Sequence, residues 1–392
     1  MSLFHPSTRQ VALLLSAGLL ATALTATSGT ATQAQTPSDL SRPDVSHSDV
    51  PLQVGSRSCP PAGVALGFSD ALDKLDVNGV RVGGLSSLAY DHTRRAWAST
   101  VDNRATEPSR IWFFRNLASP RVVGAPLVLR RPDGTAYDGA TADHEGLAVL
   151  PDGRFLVSSE TEPSIRLFGR DGVEQASLPV PERFAVTGTT PAGEATANAT
   201  LEGLTITADG RRAVAATEGA LAGDIAGSGD ATYHRFLVYR HGRSGWTLQK
   251  QIAYRTEPGQ RVPEVAAVGD SDLVVQEAAF DPATGNATQL YLVRDYRRAP
   301  DVTDIADLST TDRPVAVEKR LLADIVACPT SGATSRQPQT NPLLDNYEGM
   351  AVTGEVTSHG RRLVGISLIS DDNFGATQTT RVLNLAVAVN RR

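Results

Sequence analysis

Asp143-His144-Glu145-Gly146-Leu147-Ala148-Val149, the turn Pro151-Asp152-Gly153, then Phe155-Leu156-Val157-Ser158-Ser159-Glu160 is a short apolar hairpin with a carboxylate at each open end. The phrase returns as Leu201-Glu202-Gly203-Leu204-Thr205-Ile206, Asp209-Gly210, Ala213-Val214-Ala215-Ala216-Thr217-Glu218, and again from Tyr347-Glu348-Gly349-Met350-Ala351-Val352 to Ser370-Asp371-Asp372-Asn373. Looser copies are Pro263-Glu264-Val265-Ala266-Ala267-Val268 to Leu273-Val274-Val275-Gln276-Glu277, without the glycine, and Ser86-Ser87-Leu88-Ala89-Tyr90 to Asp102-Asn103, without the leading acid. Self-similarity at a fixed period of tens of residues marks a repeat architecture.

Between the hairpins lie further strand candidates, such as Arg110–Phe114, Ser164–Phe168 and Arg235–Tyr239, bounded by Asp-Gly, Gly-Asp and Pro-Asp-Gly turns. Helical periodicity is nearly absent, and each repeat supplies about four strands. Ser86, Glu145, Glu202, Glu264 and Glu348 recur about every sixty residues, except the last, which the stretch Pro329–Pro342 delays. Four-stranded units repeated radially are the blades of a β-propeller, so the chain reads as all-β with five visible repeats and five or six blades. The C-terminal strand Arg381–Ala388 follows the last hairpin, and a strand near Val77–Val82 is expected to complete its sheet.

The N-terminus has Arg9 ahead of the apolar run Val11–Leu24, which is short for a membrane span, then small residues up to Ala34. Residues 1–34 read as a cleaved signal peptide, 35–60 as a flexible lead-in rich in Ser, Pro, Asp and Thr, and 61–392 as the propeller. The expectation is an exported protein, extracellular or periplasmic, with no stable membrane anchor. Export makes a Cys59–Cys328 disulfide the default for the two cysteines. The formal charge of -6 becomes -7 once Arg9 is removed, and no basic run is visible, so no nucleic-acid partner is expected. A monomer is the expected state.

Hairpin pairing places Glu145 beside Glu160, and Glu202 beside Glu218, at one end of their repeats. If these strands are innermost, one channel mouth carries a ring of carboxylates. Such a ring raises its own pKa values unless a cation or arginine neutralises it, and oxygen-only clusters suit Ca²⁺ or Mg²⁺. The candidate catalytic acids are Glu145, Glu202 and Glu348. The candidate metal ligands are Asp102, Glu160, Glu218, Glu264, Glu277, Asp371 and Asp372, and the substrate contacts are His144 and Asn373. The competing reading makes the same acids struts that accept backbone N–H bonds between blades. Arg240-His241-Gly242-Arg243 is similar to the nucleophile loop of histidine acid phosphatases, but it falls in a hairpin turn and lacks that motif's proline and His-Asp partner. A Gly-x-Ser-x-Gly elbow and a His-Glu-x-x-His zinc motif are absent.

From Gly83 to the C-terminus the chain resembles the bacterial phytase-like proteins described as having esterase-like activity of phytase. The resemblance rests on Gly83-Gly84-Leu85-Ser86-Ser87-Leu88, the Glu145, Glu202 and Glu264 repeats, and above all Asn346-Tyr347-Glu348-Gly349-Met350-Ala351 with Ser370-Asp371-Asp372-Asn373-Phe374. It implies an exported propeller with phosphoesterase or esterase activity. By analogy with calcium-dependent propeller phytases, it also implies acids that hold a divalent cation, calcium first. Ala278 stands where that family tends to place an arginine after the fourth repeat's acid. A calcium-dependent lactonase-like propeller, using Asn103, Asn346 and Asn373, is the third reading.

Overall fold

Alternation of β-branched and small residues between Gly turns gives strands throughout, and they assemble as five antiparallel blade sheets and one small two-stranded sheet. The computed structural model describes residues 57–389, apart from 103–105, 189–192, 226, 312–313 and 359. The segment read as a signal peptide lies outside the described residues, as does Asn103. Of the segment read as a lead-in, residues 57–60 are described, and Ser58–Cys59 pairs with Gly63–Val64.

Each sheet begins at an innermost strand: Ala89–Asp91, His144–Val149, Leu201–Ile206, Arg261–Val268 and Tyr347–Ser358, for blades 1 to 5 in that order. These five strands neighbour one another in sequence order, and the fifth returns to the first, so the ring is closed with five blades. Packing follows the same cycle. Five apolar clusters fill the spaces between successive blades, for example Leu156, Leu167, Leu204 and Leu237 between blades 2 and 3, and Trp112, Leu85, Ile369 and Val382 between blades 5 and 1. Sheet faces that are apolar on both sides therefore lose water on both sides.

Closure of blade 5 differs from the sequence expectation. Gly63–Ser69 pairs with Val382–Val387, with Phe68 opposite Leu383. Val77–Val82 instead contributes to a small separate hairpin, Asp76–Val77 with Val80–Arg81. The reason is length and pattern: Gly63–Ser69 is a seven-residue strand that can match its partner, whereas the Asn78-Gly79 turn folds its short flanks onto each other. Cys59 and Cys328 are disulfide-bonded and tie this closing segment to the chain beyond blade 4.

The glycine of the Glu-Gly phrase has a packing cause. A Cβ on Gly203 would come within 2.8 Å of the Glu264 backbone in blade 4, and one on Gly349 within 2.5 Å of Ser87 in blade 1. Gly146 stands in the same relation to the Glu202 carbonyl of blade 3. Inner strands approach one another so closely around the channel that only hydrogen fits.

Candidate metal centre at the channel mouth

Glu145, Glu202 and Glu348 all fall where the ladder to the second strand shifts register: between His144 and Leu147, between Leu201 and Leu204, and between Tyr347 and Gly349. A bulge at this place turns a side chain out of the regular alternation. Directly after the second strands stand Asp102, Glu160, Glu218 and Asp371, whose backbone N–H groups donate to Gly84, Asp143, Thr200 and Asn346 at 2.7–2.9 Å. The same step in four blades thus sets an acid at the same height.

The acids converge. Oxygen atoms of Asp102, Asp143 and Glu145 all lie within 4.8 Å of one another, as do those of Glu145, Glu160 and Glu202, so Glu145 belongs to both groups. Glu145 is 5% exposed, and its Oε2 accepts no hydrogen bond among the described residues. Burial, and then the charge of Asp102, pushes its carboxyl well above the usual carboxylate range. Glu202 is pushed well above by burial and then by Glu145 and Glu160. Glu160 is pushed up to about 8 by burial and then Glu218, although the Thr200 N–H donates to it at 2.5 Å. Asp371 is raised by burial, then by Glu348 and Asp102.

Arg261, which the sequence reading does not single out, completes the ring. Its guanidinium lies 2.5 Å from Glu218, 3.1 Å from Glu348 and 3.8 Å from Glu202, and it donates to Asn346 Oδ1 at 2.7 Å. Burial opposes its charge, but Glu218, then Glu348 and Glu202, raise its pKa above the ordinary arginine value. Arg261 is the register partner of Ala278. The blade whose second strand lacks a rim acid or arginine thus receives its arginine from the facing strand, and that pairing was the signal available in the sequence. Asp143 is a second such residue: it opens the founding phrase and faces Glu160 across the ladder.

Three predicted ligands face elsewhere. In blade 4 the irregular span holds Val262 and Pro263, while Glu264 is a regular partner of Gln276. That displacement along the strand turns its side chain away from the rim. Glu264 accepts from the backbone N–H groups of Leu204 at 2.8 Å and Val265 at 2.9 Å, and also from Met350, which ties blades 3, 4 and 5 together. Glu277 accepts from Tyr254 Oη and Lys319 Nζ at 2.6 Å each and from the Glu257 N–H at 2.9 Å. Asp372 accepts from Lys74 and, at 3.1 Å, from the N–H groups of Gly84 and Phe374, holding blade 5 to the entry of blade 1.

The two predicted substrate contacts are placed as follows. His144 is fully buried, edge-on to Tyr137 and Phe168, and burial followed by Arg166 lowers its pKa to about 3. It is a neutral ring between blades 1 and 2. Asn373 occupies a left-handed turn position at φ 45°, with its N–H donating to Asp371 at 2.6 Å. Asn346, by contrast, is in the site and donates to Glu348 at 2.9 Å.

Among solved structures, the chain is similar to the hydrazine synthase of Kuenenia stuttgartiensis, at 11% identity and a TM-score of 0.34, covering 79% of this chain and 66% of that one. It is similar to an alpha-L-arabinofuranosidase from Lactobacillus brevis, at 14% identity and 0.39, covering 77% and 91%. It is also similar to the gluconolactonase XC5397 from Xanthomonas campestris, at 13% and 0.36, covering 85% and 92%. The chain thus spans just under two thirds of the hydrazine synthase chain. No curated protein matches the sequence. A family model described as phytase-like, esterase-like activity of phytase, matches residues 80–374, which takes in the innermost strands of all five blades and every rim acid. The chain therefore belongs to the phytase-like family.

Proposed function

We propose that the mouth binds a divalent cation, calcium first, and hydrolyses phosphate or related esters outside the cytoplasm. The observation that carries this reading is Glu145: a buried carboxylate oxygen accepting no hydrogen bond, set where two groups of three acids meet. An oxygen-only donor set with no sulfur or imidazole fits a hard cation. Asp102, Asp143, Glu145 and Glu160 would hold it. Bound there, the cation would supply Lewis-acid polarisation of the ester and of the attacking water.

The chain's own residues have distinct parts. Glu202, its carboxyl raised by burial and then by its acidic neighbours, would pass a proton to or from the reacting group as acid or base. Arg261 holds Glu218 and Glu348 in place as ion-pair partners on the opposite side of the ring. Burial of the acids excludes bulk water from their inner oxygens and strengthens each interaction.

Calorimetric titration with Ca²⁺, and turnover of phosphate and acyl esters with and without EDTA, test the proposal. Expected are stoichiometric cation binding, EDTA-sensitive turnover, and loss of both in Glu145→Gln. Turnover unaffected by EDTA, or none on any ester in calcium, would refute it. The strut reading is favoured for Glu264, Glu277 and Asp372 by their donors, and it extends to the whole ring if the purified protein takes up no cation.

A further inference from the structure

The acids occupy the start of each first strand and the end of each second strand, so the turns joining these strands lie at the other end of the propeller, together with the turns between third and fourth strands. Arginines gather there although no basic run exists in the sequence. Arg95, Arg170, Arg240, Arg243, Arg294 and Arg361 come from all five blades, are exposed, and form no ion pair among the described residues. Several acids at this end bond within their own turns, and the exposed Asp171 and Asp270 accept from the backbone N–H groups of Val173 and Asp209. Asp91 holds Thr93 and Arg94, Asp152 holds Arg154, Asp209 holds Thr207 and the Arg211 N–H, and Asp295 holds Arg298.

We propose that this turn face docks the propeller on an anionic phospholipid surface, with the acid mouth directed away from it. The arginines are spread around a ring of five blades, which suits a broad planar array of phosphates better than the ridge-and-groove relief of a nucleic-acid duplex. Guanidinium groups form bidentate bonds to phosphate oxygens, and each contributes to attraction by an acidic leaflet. The hairpin Tyr233–Gly242 with Gly245–Arg255 brings Trp246 to the same end, stacked on His241 at 4.8 Å between ring centroids. The overall charge of -6 does not oppose this pose, because the buried acid ring lies at the far end and charges more than about 10 Å apart are screened at moderate salt. The Arg240-His241-Gly242-Arg243 turn, without a catalytic partner, joins the two outer strands of blade 3 on this surface.

Flotation with vesicles of phosphatidylcholine alone and of phosphatidylcholine with phosphatidylglycerol, at low and high ionic strength, tests the proposal. The purified protein should float only with the phosphatidylglycerol vesicles and be released by salt. The triple variant Arg240→Glu/Arg243→Glu/Arg361→Glu should bind on the order of a hundredfold more weakly with unchanged thermal unfolding, while Arg→Lys at the same three positions keeps most of the binding. Absence of flotation with phosphatidylglycerol at low salt, equal flotation with phosphatidylcholine alone, full binding by the charge-reversed variant, or binding to duplex DNA but not to vesicles would each overturn it. Ester turnover in solution is not a readout here, so failure of the metal proposal leaves this one standing.

Discussion

Raising the pH of chelator-treated protein from about 5 to about 8 should lower its stability, because the mouth then has protons to lose and no cation to replace them. Glu160 sets the scale. It is 3% exposed, and burial with Glu218 lifts its carboxyl from 4.5 to about 8. Between these values the folded protein keeps a proton that the unfolded chain has released, so the stability this group contributes is full below the lower value and is lost as pH rises through the upper one. One proton corresponds to about 1.4 kcal/mol per pH unit, and the window of roughly 3.5 units gives a ceiling of about 5 kcal/mol. Glu145 and Glu202 act in the same direction. Urea unfolding followed by tryptophan fluorescence, in EDTA and in calcium, reads the effect. Calcium at a hundred times its dissociation constant should restore about 2.7 kcal/mol at the upper pH. Stability in EDTA that is flat or rises across this window would refute the buried acid ring.

Arg261→Met should cost about 2–4 kcal/mol at neutral pH, somewhat less than a fully buried broken pair since the side chain is 27% exposed, and denaturant titration at acid pH should find a smaller loss as the ring takes up protons. Glu264→Ala should cost about 2–3 kcal/mol through the orphaned N–H groups of Leu204 and Val265, Glu264→Gln far less, and neither should alter calorimetric cation binding. Cys328→Ser opens a loop closed over 269 residues; the chain-entropy relation gives about 5.6 kcal/mol, read as a lower urea midpoint under non-reducing conditions.

The repeated hairpin makes the propeller legible because strand period, turn chemistry and apolar alternation are local properties, and four of the five rim positions carry an acid directly after the second strand. Legibility ends at blade 4. There Glu264 looks like Glu145 and Glu202 in the sequence, yet it is a regular ladder partner rather than a bulge residue, and such a displacement sends a side chain to the opposite face. Glu277 and Asp372 are likewise acids beside the right strands whose neighbours from distant segments, Lys319 and Lys74, claim them.

Sequence by itself determined that the chain is a ring of four-stranded repeats, that its family is phytase-like, and that carboxylates recur at one end of the hairpins. Tertiary structure alone decided which carboxylates meet, that Arg261 answers them, that Gly63–Ser69 closes the ring, and that scattered turn arginines share a face. The physical reason is that ring closure brings together residues separated by whole blades, and which side chains then face the mouth depends on ladder register, which is settled between strands.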